Sequence, residues 1–151
     1  MKSQNILVVE GNKQIYDLLR SNFVSGDSYN VKRAGNRKEI SEYLKKNEPG
    51  LIVAEISATG SQDNIEAIAA IKDKITLEII FIIGAEEEKI IKQAKLLKPF
   101  GLFVKPIKEI ELITAVESAC TKNRLTKKLL ENEIKFRLAF ENAHDGIVWA
   151  D

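Results

Sequence analysis

The stretch "LIVAEISATGSQDNIEAIAAIKD", residues 51–73, decides the fold. Four apolar residues, Leu51 to Ala54, run without alternation into a carboxylate, Glu55. A continuous apolar run of this length predicts a strand buried on both faces, as in a parallel sheet covered by helices. The second half places Ile65, Ile68 and Ile71 three residues apart, which predicts a helix with one apolar side, and Asp63 or Asn64 is the expected N-cap. The unit is therefore strand, then helix, with an acid where the strand gives way to the loop.

The same unit recurs outward in both directions. "NILVV" (5–9) precedes "KQIYDLLRSNF", where Ile15, Leu18, Leu19 and Phe23 share a helical face. "YNVKRA" (29–34), a weaker strand candidate, precedes "RKEISEYLKK", which groups Ile40, Tyr43 and Leu44. "EIIFII" (78–83) precedes "EEEKIIKQAKLL", with Ile90, Ile91, Ala94 and Leu97 on one side and acids in the first turn, where the helix dipole favours them. "GLFV" (101–104) precedes "KEIELITAVESAC". Five such units in about 120 residues predict an α/β, doubly wound parallel sheet. In such a sheet the functional crevice lies at the carboxyl ends of the strands. Glu10, Gly11, Glu55, Gly84 and Lys105 are the residues to read there.

Composition restricts the classes. Hydrophobic residues make up 44% and charged residues 30% of the 151, values of an ordinary globular chain. No run of about 18 apolar residues exists to cross a membrane. The start "MKSQNILVVEG" has no secretory leader pattern, so a cytoplasmic location is the expectation. Cys120 is the single cysteine, which excludes an internal disulfide, and it falls on the core-facing side of its helix. The net charge of +1 does not suggest a nucleic-acid partner. Residues 122–137 alone carry a net charge of +4, which reads as a solvated helix face.

From Glu109 to about Ala143 there is no proline or glycine. One long helix is expected to leave the domain, with Leu125, Leu129, Leu130, Ile134 and Leu138 along it, and to pair with a second copy as a homodimer. "AHDGIVWAD" (143–151) then predicts a turn at Asp145-Gly146 and the start of a strand, with Trp149 as core of a further domain. His144 has no partner there and reads as structural. The expected division is 1–121, a compact domain; 122–140, a helical linker; and 141–151, the opening of the next domain.

"ILVVEGN" and "GLFVKPIKEIEL", with the order of strand-end residues, resemble the response-regulator receiver domains of two-component signalling over residues 5–120. "KFRLAFENAHDGIVWAD" resembles the entry into a PAS sensor domain, as in multidomain sensor histidine kinases. The resemblance implies a (βα)5 flavodoxin-like sheet of strand order 2-1-3-4-5 with a C-terminal helical extension. It implies a site in which an aspartate ending the third strand accepts a phosphoryl group from a phosphohistidine. Acids after the first strand hold Mg²⁺, and a hydroxyl after the fourth strand and a lysine after the fifth bind phosphoryl oxygens.

Carried over residue by residue, the pattern is kept in form and changed in chemistry. The first acid falls on Glu10 and the second on Gly11, which has no side chain. The phosphoacceptor falls on Glu55, the hydroxyl on Gly84, and the aromatic relay position on Leu102. Lys105 is retained, with Pro106 after it. The extra methylene of Glu55 moves its carboxylate by about 1 Å, a displacement that costs on the order of 10²-fold in rate. The expected function is a pseudo-receiver in which Glu55 pairs with Lys105, acting through contacts with a histidine kinase or attached sensor domains. No enzyme activity is expected of this stretch, as distinct from a full-length sensor histidine kinase, and no cofactor, with Glu10 and Glu55 expected to be at most weak Mg²⁺ ligands. The alternatives are a phosphorylatable receiver and a small-ligand flavodoxin-like domain. The latter lacks support from a phosphate-binding loop after the first strand, and no nucleotide fingerprint occurs.

Overall fold

In a computed structural model, residues 4–10, 13–23, 28–56, 61–84 and 88–143 are described. Gly11, His144, Trp149 and the turn and strand expected at 145–150 lie outside them. Five strands alternate with five helices: β1 (Gln4–Val9), α1 (Gln14–Phe23), β2 (Tyr29–Ala34), α2 (Arg37–Leu44), β3 (Leu51–Ile56), α3 (Ser61–Lys72), β4 (Glu78–Ile83), α4 (Glu88–Leu96), β5 (Gly101–Val104) and α5 (Glu109–Ala143). All strand pairs are parallel and the order is β2-β1-β3-β4-β5, the flavodoxin-like arrangement.

Side chains alternate across a strand, and here that period sorts the apolar residues into two cores. Leu7, Val9, Ile52, Ala54, Ile79 and Phe81 point to the side covered by α2, α3 and α4. Ile6, Val8, Leu51, Val53, Ile80 and Ile82 point to the side covered by α1 and α5. Because both neighbours of each central residue must be apolar, the runs are continuous. Glu55 has the parity of Leu51 and Val53, so it belongs to the α1/α5 side.

One local expectation is corrected. α3 begins at Ser61, so Asp63 and Asn64 stand inside its first turn instead of capping it. The cap on α2 is explicit: Asn36 Oδ1 accepts the N–H of Glu39 at 2.9 Å, while Glu39 Oε1 accepts that of Gly35 at 2.6 Å.

α5 is fastened to the amino ends of the strands by a buried amide clamp. Gln4 Nε2 donates to Asn123 Oδ1 at 2.9 Å, and Asn123 Nδ2 donates to the Thr76 carbonyl at 3.1 Å. Lys122 pairs with Glu78 at 3.3 Å and Lys127 with Glu48 at 3.7 Å. Gly50 makes room: a Cβ there would stand 2.1 Å from Gln4 Nε2 and 2.6 Å from Asn123 Oδ1.

Gly50→Ala must therefore displace one or both amides. A destabilisation of about 1–3 kcal/mol is expected from overpacking and a broken buried hydrogen bond. Urea denaturation checks it, and an unchanged midpoint would show that the clamp tolerates a methyl group.

Candidate functional site

The carboxyl ends of β1, β3, β4 and β5 bring Glu10, Glu55, Gly84 and Lys105 to one edge of the sheet. Glu10 follows β1 directly, its N–H held by the Ala34 carbonyl at 3.2 Å. Its side chain is buried, and both oxygens turn to the N-terminus of α1. Oε1 accepts the N–H of Tyr16 at 2.8 Å, and Oε2 accepts that of Ile15 at 3.2 Å. These N–H groups have no partner within their own helix, and the helix dipole favours a negative charge beside them. Glu10 is thus a remote cap of α1.

Burial is the largest influence on Glu10 and pushes its carboxyl above the ordinary 4.5. The hydrogen bonds from Tyr16 and Ile15 pull it down, the negative Glu55 pushes it up, and Arg33 pulls it down. The balance is upward.

Glu55 lies in the last turn of the β3 ladder, opposite Ile82 of β4. Lys105 follows β5, its N–H on the Ile83 carbonyl at 2.9 Å and its peptide to Pro106 cis. The two residues are separated by β4, roughly 10 Å of sheet, and both side chains are long enough to meet across it. Nζ of Lys105 stands 2.5 Å from Oε2 of Glu55, with side-chain exposures of 37% and 12%. The contact is an ion pair and not a well-aligned hydrogen bond, since that oxygen is buried without a donor in acceptable alignment. Gly84 follows β4, its N–H on the Ile56 carbonyl at 3.3 Å, and is exposed, with no atom of the described residues within 4 Å of where a Cβ would be. Packing therefore does not require a glycine there.

Leu102, the position of the expected relay, is part-buried against the α2/α3/α4 core, and Phe103 beside it packs on the other core. A cleft of about 700 Å³ opens beside the ion pair, lined by Gln14, Ile15, Leu18, Ile82, Ile107 and Glu109 among others. Among the described residues no group of three or more His, Cys, Asp or Glu side chains is arranged to hold a metal. Cys120 is buried in the α1/α5 core, and burial pushes its thiol up to about 12, so it stays protonated at neutral pH.

The structure thus brings together Glu10, Glu55, Gly84 and Lys105, and sets Leu102 apart on the other face. The capping role of Glu10 is absent from the sequence reading. Its signal was available: an acid five and six residues ahead of Ile15 and Tyr16. The amide clamp was also missed, although Asn123 continues the apolar spacing of Leu112, Val116 and Ala119.

The family model of the response regulator receiver domain matches residues 6–117, and the chain belongs to that family. No curated protein matches it closely. Among solved structures it is similar to the signal receiver domain of a modulated diguanylate cyclase from Desulfovibrio desulfuricans G20. That match has 25% identity and a TM-score of 0.67, and covers 83% of this chain and 99% of that one. It is similar to NtrX from Brucella abortus in complex with ADP, with 19% identity and a TM-score of 0.71, covering 95% of this chain and 35% of that one. A third is the N-terminal domain of a response regulator/sensory box/GGDEF 3-domain protein from Carboxydothermus hydrogenoformans. It has 24% identity and a TM-score of 0.65, covering 84% of this chain and 99% of that one. No helix among the described residues is long and apolar enough to cross a membrane.

Two outcomes follow for the site. A double-mutant cycle with Glu55→Gln and Lys105→Met is expected to give a coupling on the order of 1 kcal/mol, reduced by salt because the lysine is partly exposed. Zero coupling at low salt would remove the pair from the energetics. For Glu10, a raised folded pKa means that the folded state binds its proton more tightly than the unfolded chain. Its contribution is therefore most favourable below 4.5 and is lost as pH rises through the folded value. Relative to Glu10→Gln, which does not titrate, the wild type should lose stability between acid pH and neutrality. Urea midpoints of the two proteins across that range would show the opposite slope if the helix N-terminus outweighed burial.

Proposed function

We propose that this receiver-family chain is a pseudo-receiver: a signalling module that works through protein contacts and carries no phosphoryl group. The observation that carries the reading is the Glu55–Lys105 ion pair at 2.5 Å. Glu55 stands where the resemblance puts the phosphoacceptor, and it already engages the cation that would otherwise meet a phosphoryl oxygen. Its negative charge, held about 1 Å further out than an aspartate's, is a permanent one.

Mg²⁺ does not suit the residues on hand. The ion demands near-octahedral oxygen coordination and usually keeps one or two carboxylates as ligands. Both oxygens of Glu10 accept α1 N–H groups, Oε2 of Glu55 faces an ammonium, and Gly11 offers no side-chain oxygen. Gly84 supplies no hydroxyl to a transition state, and loss of one such donor elsewhere costs about 10²–10³ in rate.

The partners on this reading are a histidine kinase or sensor domains attached in the same chain, in the cytoplasm, with residues 122–140 as linker and 141–151 as the opening of a PAS domain. Support for attached sensor domains comes from the resemblance of residues 135–151 and from the sensory box that follows the similar domain in the Carboxydothermus protein. A second reading, phosphorylation of Glu55, is favoured by the open cleft beside it, which gives a phosphodonor access.

The two readings separate in one experiment. The chain is incubated with acetyl phosphate and Mg²⁺, or with beryllium fluoride and Mg²⁺, and followed by mass and by tryptophan-independent spectroscopy such as NMR. No stoichiometric mass gain and no Mg²⁺-dependent saturating shift are expected. A gain that disappears in Glu55→Gln would establish the second reading.

A further inference from the structure

We infer that the groove between α2 and α3 is a binding site for a small apolar carboxylate, set against the two loops that hold the exit of α5. The inference stands on a surface remote from Glu55 and holds whether or not that residue accepts a phosphoryl group.

α2 and α3 lie on the same face of the sheet, each running back from the carboxyl edge of the strands toward the amino edge. Where they adjoin, the side chains of α3 are short. Ala67 and Ala70 end at Cβ and leave a valley opposite Ile40 and Leu44 of α2, and Ile71 and Ile75 continue it toward the amino edge. The valley has a volume of about 370 Å³, within the range of pockets that hold small molecules. At about 30 Å³ for a water-sized atom, it takes about a dozen non-hydrogen atoms. From Arg37 to Leu44 it follows α2 for about 10 Å. A helix of that length, about 10–12 Å across with its side chains, occupies roughly twice the volume. The space therefore suits a small molecule and not a partner helix.

Charge gives the class of that molecule. Arg37 stands at one end of the groove and Lys74 toward the other, and both are exposed. Among the described residues neither has an ion-pair partner. The acid at the groove, Glu48, faces Lys127 of α5 at 3.7 Å. An apolar floor between two uncompensated cations favours an anion with an apolar body and repels a cation. The planar fork of Arg37 suits a carboxylate, which it can meet with two parallel hydrogen bonds. Ile40, Ala67 and Ile71 are buried and form the floor, and a body laid over them removes the half-buried Leu44 and Ile75 from water.

Position gives the site its reach. Its amino end is built from the loops that follow α2 and α3, and both loops are tied to α5. Glu48 holds Lys127, and the carbonyl of Thr76, the residue after Ile75, accepts Asn123 Nδ2 at 3.1 Å. A molecule seated against Leu44 and Ile75 therefore presses on two ties of α5 to the domain.

The test uses the whole chain, isotopically labelled for NMR and titrated with octanoate. Saturating amide shifts are expected along 37–48 and 67–76, with movement of the Asn123 side-chain amide. Octylamine, the same apolar chain with the opposite charge, should bind about tenfold more weakly or worse. Arg37→Glu should weaken octanoate about tenfold and Lys74→Glu several-fold. Ala70→Leu, which fills the groove from an exposed position, should abolish saturation. Glu55→Gln should leave the affinity unchanged. Shifts that never saturate, equal binding of octylamine, or shifts confined to the exposed Leu125 and Leu129 of α5 would overturn the site. Saturation with a motionless Asn123 amide would overturn its link to α5. Circular dichroism of each variant separates loss of binding from loss of fold.

Discussion

The constraint from which the rest follows is that all five strands are parallel and the central ones are buried on both faces. A parallel sheet leaves its strand interiors no room for chemistry: residues 6–9 of β1, 51–54 of β3 and 79–83 of β4 are all apolar, each on one core or the other. Polar function is pushed to the two edges where the strands begin and end. Glu10, Glu55 and Lys105 gather at the carboxyl edge, and Gln4, Asn123 and Thr76 gather at the amino edge. Glu78 starts β4 at that same amino edge and is tied to α5 through Lys122.

At the carboxyl edge the charges are few and mutually dependent. Two carboxylates face one ammonium and one helix N-terminus. Glu10 takes the helix and Glu55 takes the ammonium, and the charge of Glu55 adds to the burial that raises the carboxyl of Glu10. On the pseudo-receiver reading the lysine meets the charge of Glu55 that a receiver of the usual pattern would share with a divalent cation. A pair in which one member is 37% exposed is not strong. Its significance is that it leaves neither charge free. Gly84 bears on the same point. Among the described residues nothing lies within 4 Å of where a Cβ would stand, so packing does not demand a glycine there.

How much of this was legible in the sequence depends on the range of the interaction. The strands were legible because burial on both faces writes itself into adjacent residues: "EIIFII" can be little else. The long helix was legible because Pro and Gly are absent from 109 to 143. The meeting of Glu55 with Lys105 followed from the resemblance, not from spacing, since fifty residues separate them. What remained hidden were contacts in which a polar residue serves the backbone of another element. Only its five- and six-residue distance to Ile15 and Tyr16 marks Glu10 as the cap of α1, and α3 is already helical at Ser61, ahead of Asp63. The Gln4–Asn123–Thr76 clamp joins three distant segments, so only the odd placement of an amide in an apolar series pointed to it.

α5 joins the two edges. It begins four residues after Lys105, lies along the α1/α5 core through Leu112 and Val116, and is clamped at Asn123 before leaving the domain. From 109 to 123 it covers roughly 20 Å as one helix. A rearrangement at the carboxyl edge could reach the exit only by moving that helix, and the clamp opposes rotation because both hydrogen bonds of Asn123 have fixed partners. A ligand shifts an equilibrium only by its differential affinity for two states. Here the acid is paired with Lys105, Gly84 carries no hydroxyl and Leu102 packs against the opposite core. On the pseudo-receiver reading, information then runs the other way: the domain holds the direction of α5 constant, and what changes is whatever binds beside it.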